Sequence, residues 1–87
     1  METRVAVMSI IVEQNDSVET LNRILHEYNM YIIGRMGIPY RQKNISIISI
    51  AIDAPQDKIS TLAGRIGKLP GISVKTAFSS VISREEA

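Results

Sequence analysis

The alternation of hydrophobic and polar positions along the chain predicts two consecutive strand–helix–strand units. Residues 4–12 are rich in β-branched side chains and end at the polar cluster 13–16, which predicts a first strand. Apolar residues then recur at helical spacing from Val18 to Tyr28, so a first helix is expected over about residues 17–28. A second strand is expected over residues 31–36, which completes the first unit.

The second unit repeats the first. A third strand is predicted over residues 45–53, followed by a helix that opens near Pro55 and by a fourth strand over residues 72–79. The end of the first strand, Ser9 to Glu13, corresponds residue by residue to Ser49 to Asp53. The repeat indicates that each half of the chain folds as the same supersecondary element.

The element order βαββαβ predicts a ferredoxin-like α+β sandwich. Right-handed crossovers place the first and third strands at the centre of a four-stranded antiparallel sheet, with both helices on one face. The chain is expected to form a single domain over residues 1–87. Its ordered core is expected over about residues 4–79, and the polar tail 80–87 is expected to fray.

Both faces of the two central strands are apolar in the sequence. In the first strand, one face carries Val5, Val7 and Ile11 and the other carries Ala6, Met8, Ile10 and Val12. In the third strand, one face carries Ile48, Ile50 and Ile52 and the other carries Ile45, Ile47 and Ala51. The face of the sheet away from the helices should therefore carry an apolar patch along its middle. An exposed apolar patch of this kind usually marks an interface, so self-association as a dimer or tetramer is expected. The alternative is that a strand bulge or the C-terminal tail covers the patch.

The least generic part of the chain is residues 34–44, which have no counterpart in the repeat. The candidate ligand- or partner-binding residues there are Gly34, Arg35, Met36, Gly37, Tyr40 and Arg41. Glycines let the backbone approach a ligand closely, and arginines can hold a carboxylate or phosphate through two parallel hydrogen bonds. The alternative is a long hairpin in which the glycines form a bulge and a turn and the arginines are solvated.

Asn15 and Asp16 are further candidates, because they lie in the loop before the first helix, where free N–H groups can bind an anion. The carboxylates of Glu13 and Asp16 would repel an anion, however. Asp16 is also predicted to be the N-cap of the helix, with Glu19 completing a capping box.

Composition excludes several classes of function. The chain has ten Lys and Arg, nine Asp and Glu, one His and no Cys. Without cysteine there is no thiolate chemistry, and the lone His26 lacks companions for a metal site, so no metal or cofactor is expected. The charges are interspersed, which argues against direct nucleic-acid binding. No apolar run approaches the roughly 20 residues that cross a bilayer, and a cytoplasmic location is expected.

Three segments resemble a known family: residues 32–41 (IIGRMGIPYR), 44–55 (NISIISIAIDAP) and 69–76 (LPGISVKT). The chain is similar over about residues 4–79 to ACT-like proteins described as proposed regulators associated with iron-only hydrogenase systems. The resemblance implies an ACT-like version of the ferredoxin-like fold that assembles with copies of itself. It also implies a small-molecule ligand at a subunit interface near residues 13–17, although the glycine common in that loop is absent here.

The expected function is therefore a non-catalytic regulatory module that binds a ligand or partner as a homo-oligomer. An acylphosphatase-like enzyme is the alternative on the same fold. Such an enzyme needs an Arg in the anion loop after the first strand and an Asn nearby; here Asn15 could supply the Asn, but the loop has no Arg. RNA-recognition motifs carry aromatic residues on the first and third strands, and this chain has none there. The metal site of nickel-responsive repressors, which share this fold, needs several His and a Cys. This chain has one His and no Cys, so nickel sensing of that type is not expected.

Overall fold

The computed structural model describes residues 2–84 of the chain, with side chains up to residue 81. Its helices and strands are β1 (Glu2–Val12), α1 (Val18–Glu27), β2 (Ile32–Tyr40), β3 (Ile45–Ala54), α2 (Gln56–Gly67) and β4 (Ile72–Arg84). Single 3-10 turns at Asn15–Ser17, Asn29–Tyr31 and Arg41–Lys43 connect them. The predicted order of elements is confirmed.

The four strands form one antiparallel sheet in the order β2-β3-β1-β4, so the two repeated crossovers interleave. Strands β1 and β3 occupy the centre, as right-handed crossovers require. Both helices pack on one face of the sheet, and no helix among residues 2–84 covers the other face. The fold is the predicted ferredoxin-like α+β sandwich.

Strand alternation and helical periodicity together produce a single core. Alternate residues of β1 and β3 point at the helices, and the apolar stripes of α1 and α2 close over them. The fully buried large side chains are Met8, Ile10, Val12, Leu21, Leu25, Ile50, Ile52, Ile59, Leu62 and Ile66. The core lies between the two helices and the central strands of the sheet.

The boundaries of β2 and β4 differ from the sequence-based expectation. Strand β2 runs to Tyr40 rather than ending at residue 36, because pairing with β3 continues along its whole length. Strand β4 continues to Arg84 and pairs with the start of β1, so residues 80–84 of the expected tail are strand. Residues 85–87 of that tail lie outside the described residues.

The predicted capping box at the start of α1 is wrong. Asp16 lies exposed in the 3-10 turn, and Ser17 is the residue that precedes the helix. The Ser17 side chain does not cap the helix, because its hydroxyl donates a hydrogen bond of 2.9 Å to the Pro70 carbonyl. A backbone hydrogen bond of 2.7 Å from Glu13 to Gly71 fastens the same two loops together.

Candidate functional site

A groove lies on the helix side of the sheet, between α1 and the outer strand β2. Every residue of β2 from Ile33 to Tyr40 is exposed, because β2 is an edge strand. The groove has a volume of about 290 Å³. Its lining residues are Val12, Val18, Leu21, Asn22, Arg35, Gly37, Ile38, Pro39, Ser46 and Ile48. This set of residues is called the β2 groove below.

The floor of the β2 groove is open because residue 37 has no side chain. Gly37 pairs with Ile48 of β3, whose side chain packs against the core, so both residues face the helices. A Cβ atom built on Gly37 would meet no atom within 4 Å. The backbone of Gly37 is not in the positive-φ region either, so neither conformation nor close packing requires glycine at this position.

Arg35 stands at the rim of the groove. It pairs with Ile50 of β3 and therefore also faces the helix side. Its Nη2 atom donates a hydrogen bond of 2.9 Å to Oδ1 of Asn22 on α1, which bridges the mouth of the groove. No salt bridge to Arg35 forms within residues 2–84, so its positive charge is not neutralised there.

The structure divides the predicted site residues among four places. Arg35 and Gly37 line the groove on the helix side. Gly34, Met36 and Tyr40 pair with Ala51, Ser49 and Ile45 and so face the other side of the sheet. Arg41 lies exposed in the turn after β2, and Asn15 and Asp16 lie exposed in the turn before α1. The segment is thus split by strand alternation rather than gathered into one loop.

The predicted alternative of a glycine bulge and turn describes part of this segment. The register of β2 shifts between Ile32 and Gly34, which places an irregularity at Ile33 beside the first glycine. The turn itself uses no glycine, since Asn44 supplies its left-handed residue at φ 54°. Gly37 lies in neither feature.

The sequence pattern does not predict the groove residues contributed by α1 and β3. Asn22 lies on the exposed side of α1. Polar residues are common on the solvent-facing side of a helix, so its residue type alone does not indicate a binding role. Ser46 is the better signal, because it is the polar residue at a helix-facing position in a strand whose other helix-facing residues are Ile48, Ile50, Ile52 and Ala54. A polar residue at such a position indicates that the helix layer does not reach it.

A second candidate surface is the sheet face that carries no helix. Its apolar residues are Val5, Val7, Ile11, Met36, Ile38, Tyr40, Ile45, Ile47, Ala51 and Ala77, and together they are called the open sheet face. Val5, Val7, Ile11 and Ile47 are 39%, 43%, 42% and 38% exposed, so the predicted apolar patch on the central strands is present. Within the described residues, neither a bulge nor the chain end covers it.

The apolar residues of the open sheet face are contiguous across strands. Ile47 of β3 pairs with Ile11 of β1 on one side and with Ile38 of β2 on the other. Val7 pairs with Ala51 and with Ala77 in the same way. Cross-strand neighbours on one face touch each other, so these residues form a continuous surface rather than isolated apolar positions.

The ion pair between Glu27 and Arg65 joins the outer surfaces of the two helices. Arg65 Nη1 lies 2.7 Å from Glu27 Oε2, and its guanidinium also stacks 5.8 Å from the Tyr28 ring centroid. The hydrogen bond from Arg65 lowers the pKa of Glu27 below its usual value, and the carboxylate raises the pKa of Arg65. Because it lies away from both candidate surfaces, this pair is a link between helices.

Two further structural findings bear on function. The residues that the structure describes contain no group of three or more His, Cys, Asp and Glu side chains placed to hold a metal ion. No helix among residues 2–84 is long and apolar enough to cross a membrane.

The sheet order and the two helices on one face define a small α+β sandwich of the ferredoxin-like, ACT-like class. The chain belongs to the TM1266-like family, described as a proposed iron-only hydrogenase system regulator, whose model matches residues 4–76. The family resemblance that the sequence suggested is therefore confirmed. No curated protein matches the chain.

Two solved structures resemble the fold. The structure of the uncharacterized protein TM1266 from Thermotoga maritima is 30% identical, with a TM-score of 0.84 over 87% of this chain and 96% of that one. A formyltetrahydrofolate deformylase from Pseudomonas putida KT2440 is 17% identical, with a TM-score of 0.60 over 83% of this chain and 28% of that one. The second similarity shows the fold alone.

Proposed function

We propose that this protein is a non-catalytic, cytoplasmic regulatory module of iron-only hydrogenase systems that works as a homo-oligomer built on the open sheet face. The family description supports the regulatory role. The observation that carries the oligomer is the exposure of Val7, Ile11 and Ile47 at the centre of a four-stranded sheet. Such a face on a monomer would leave apolar side chains in contact with water.

The size of the open sheet face suits a stable interface. Strands β1 and β3 pair over residues Arg4–Val12, a length of about 30 Å, and four strands make the face about 19 Å wide. The projected area is on the order of 600 Å², and the accessible area of the protruding side chains is larger. A standard interface buries about 800 Å² on each partner.

Charge also favours a copy of the same chain as the occupant. Asp53 and Lys75 are the charged side chains at the margins of the open sheet face within the described strands, one beside Val5 and the other beside Ser9. A two-fold interface pairs each surface with itself, and a face with so few charges does so without burying like charges together. The uncharged Ser9 and Ser49 between them lie side by side near the centre.

The regulatory step is proposed to act through a partner protein rather than on nucleic acid directly. The chain has a net charge of +1 with interspersed charges, so it lacks the basic surface that phosphate contacts need. An acylphosphatase-like activity is not favoured, because Asn15 is exposed in a turn that contains no arginine. Turnover of an acyl phosphate by the purified chain would revive that alternative.

Size-exclusion chromatography with light scattering on the full chain tests the oligomer. The expected result at micromolar concentration is a dimer or tetramer. A strict monomer would overturn the proposed assembly. A gel-shift assay at physiological salt tests the second part, and a clear shift by the isolated chain would contradict the need for a partner protein.

A further inference from the structure

We propose that the β2 groove binds a small aliphatic carboxylate that lacks an amino group, with Arg35 and Asn22 holding the carboxylate. The inference deepens the proposed function by giving the module a ligand class, and it rests on that function only for its regulatory meaning. The groove lies within one chain and, apart from Ile38 of the edge strand, its lining lies on the opposite side of the sheet from the proposed interface. Binding and assembly can therefore be measured separately.

The polar groups at the rim are hydrogen-bond donors. Asn22 accepts the bond from Arg35 through Oδ1, which leaves its side-chain NH₂ group as a donor at the same place. The guanidinium keeps further N–H groups beyond the one that it shares with Asn22. A planar guanidinium beside an amide NH₂ suits a carboxylate, because charge-assisted hydrogen bonds of this kind are strong and directional.

Arg35 differs from Arg4 and Arg65 in what its guanidinium group contacts. Arg4 donates to the Ser79 carbonyl and to Gln56 and lies over the Phe78 ring, and Arg65 pairs with Glu27. Those guanidinium groups hold strands or helices together. The hydrogen bond of Arg35 to Asn22 instead orients a charge over an unfilled volume.

The rest of the lining is apolar or small. Val18 and Leu21 from α1, Ile48 from β3 and Pro39 from β2 form the walls, and Gly37 leaves the floor open. The volume of about 290 Å³ is at the small end of ligand sites, which commonly measure about 300–1,000 Å³. A short or branched hydrocarbon attached to one carboxylate matches this combination.

The lining excludes an α-ammonium group. None of the ten lining residues is Asp or Glu, so the ammonium of an amino acid would enter an apolar groove beside Arg35 without a counter-charge. A single cation also matches a monoanion better than a phosphate dianion. The structure therefore favours a 2-oxo acid or a simple aliphatic acid over the corresponding amino acid.

The test is an NMR titration of the full-length protein with 4-methyl-2-oxopentanoate, leucine and inorganic phosphate. The expected result is saturable shifts of residues around the groove with the oxo acid, and at least about 10-fold weaker binding of leucine and phosphate. Leucine or phosphate binding as tightly as the oxo acid would overturn the assigned class. No binding of the oxo acid at millimolar concentration would overturn the site.

Two matched pairs of variants locate the binding. Gly37→Val places a side chain in the groove, whereas Gly64→Val places one on the exposed surface of α2, and neither Cβ would meet an atom within 4 Å. Arg35→Gln removes the rim charge, and Arg41→Gln removes an exposed charge in the nearby turn. Gly37→Val and Arg35→Gln should weaken binding by at least about 10-fold while their partners change it little.

Binding that survives both Gly37→Val and Arg35→Gln would overturn the inference. Light scattering on the same samples separates it from the proposed assembly, because the groove variants leave the open sheet face unchanged. A monomer that still binds the oxo acid would contradict the proposed assembly and support the carboxylate site. An oligomer that binds no carboxylate would contradict the carboxylate site and support the assembly.

Discussion

Gly37 of β2 pairs with Ile48 of β3, and a Cβ atom built on the helix-facing side of Gly37 would meet no atom within 4 Å. The next helix-facing residues of β3 after Ile48 are Ile50 and Ile52, and both are completely buried under the helices. The sandwich is thus closed over the central strands and open over the outer strand. This difference creates the β2 groove, and a single glycine keeps its floor accessible.

Gly37→Val is expected to stabilise the isolated protein by about 0.5–1 kcal/mol. Valine suits a strand and restricts the unfolded chain, and a Cβ atom at this position would meet no atom within 4 Å. Urea unfolding followed by circular dichroism measures the free energy of unfolding. A destabilised variant would show that the space above Gly37 is needed for folding rather than for a ligand.

Gly71→Ala is the contrasting change and should destabilise by about 1–3 kcal/mol. Gly71 has a φ of +72°, and a Cβ atom there would lie 2.6 Å from the Gln14 side chain. The same urea experiment measures the effect. An unchanged stability would mean that the turn between α2 and β4 relaxes easily.

The element order could be predicted because local pattern and tertiary structure agree over the repeat. Helix α1 and strand β3 lie where periodicity places them, and the two apolar faces of β1 follow from alternation alone. Residues 37–40 were not predicted as strand because glycine and proline disfavour strands. They form one here because an edge strand leaves one side unpaired, where Pro39 needs no N–H partner.

The groove was only partly predictable. Arg35 and Gly37 stand out in the sequence, but strand alternation separates them from Met36 and Tyr40 only once the register is known. Asn22 joins them through the packing of α1, which no local pattern specifies. The sequence around Asp16 matches that of a helix cap, but the predicted cap is wrong. The buried Ser17 instead links the loop before α1 to the turn before β4 through its hydrogen bond to the Pro70 carbonyl.

Val7→Lys is expected to weaken self-association by more than about 100-fold, because it would bury an unpaired charge at the centre of the proposed interface. Met30→Lys is the control, since Met30 is 78% exposed and lies in the turn after α1. Light scattering across a dilution series measures the mass of each variant. Equal effects of the two substitutions would place the interface elsewhere on the molecule.

Ser17→Ala is expected to destabilise the fold by about 1 kcal/mol. Ser17 is 4% exposed, and its loss removes the 2.9 Å hydrogen bond to the Pro70 carbonyl. Ser60→Ala is the control, because Ser60 is exposed on α2. Thermal unfolding of both variants measures the difference. If the control loses as much stability, the link between the two loops contributes nothing specific.

The Glu27–Arg65 ion pair should make stability depend on pH in the acid range. The hydrogen bond from Arg65 holds the pKa of Glu27 below its usual value of 4.5 in the folded protein. The stabilising contribution of a carboxylate with a lowered pKa is present above the unfolded value and is lost as the pH falls through the folded value. The melting temperature of the wild type should therefore exceed that of Glu27→Gln near neutral pH, and this excess should shrink below about pH 4.5. Added salt should also reduce this difference in melting temperature, because both side chains are exposed.

Glu19→Gln is the control, and no salt bridge to Glu19 forms within residues 2–84. A melting-temperature difference that stays constant through the acid range would show that Glu27 acts through packing rather than through its charge.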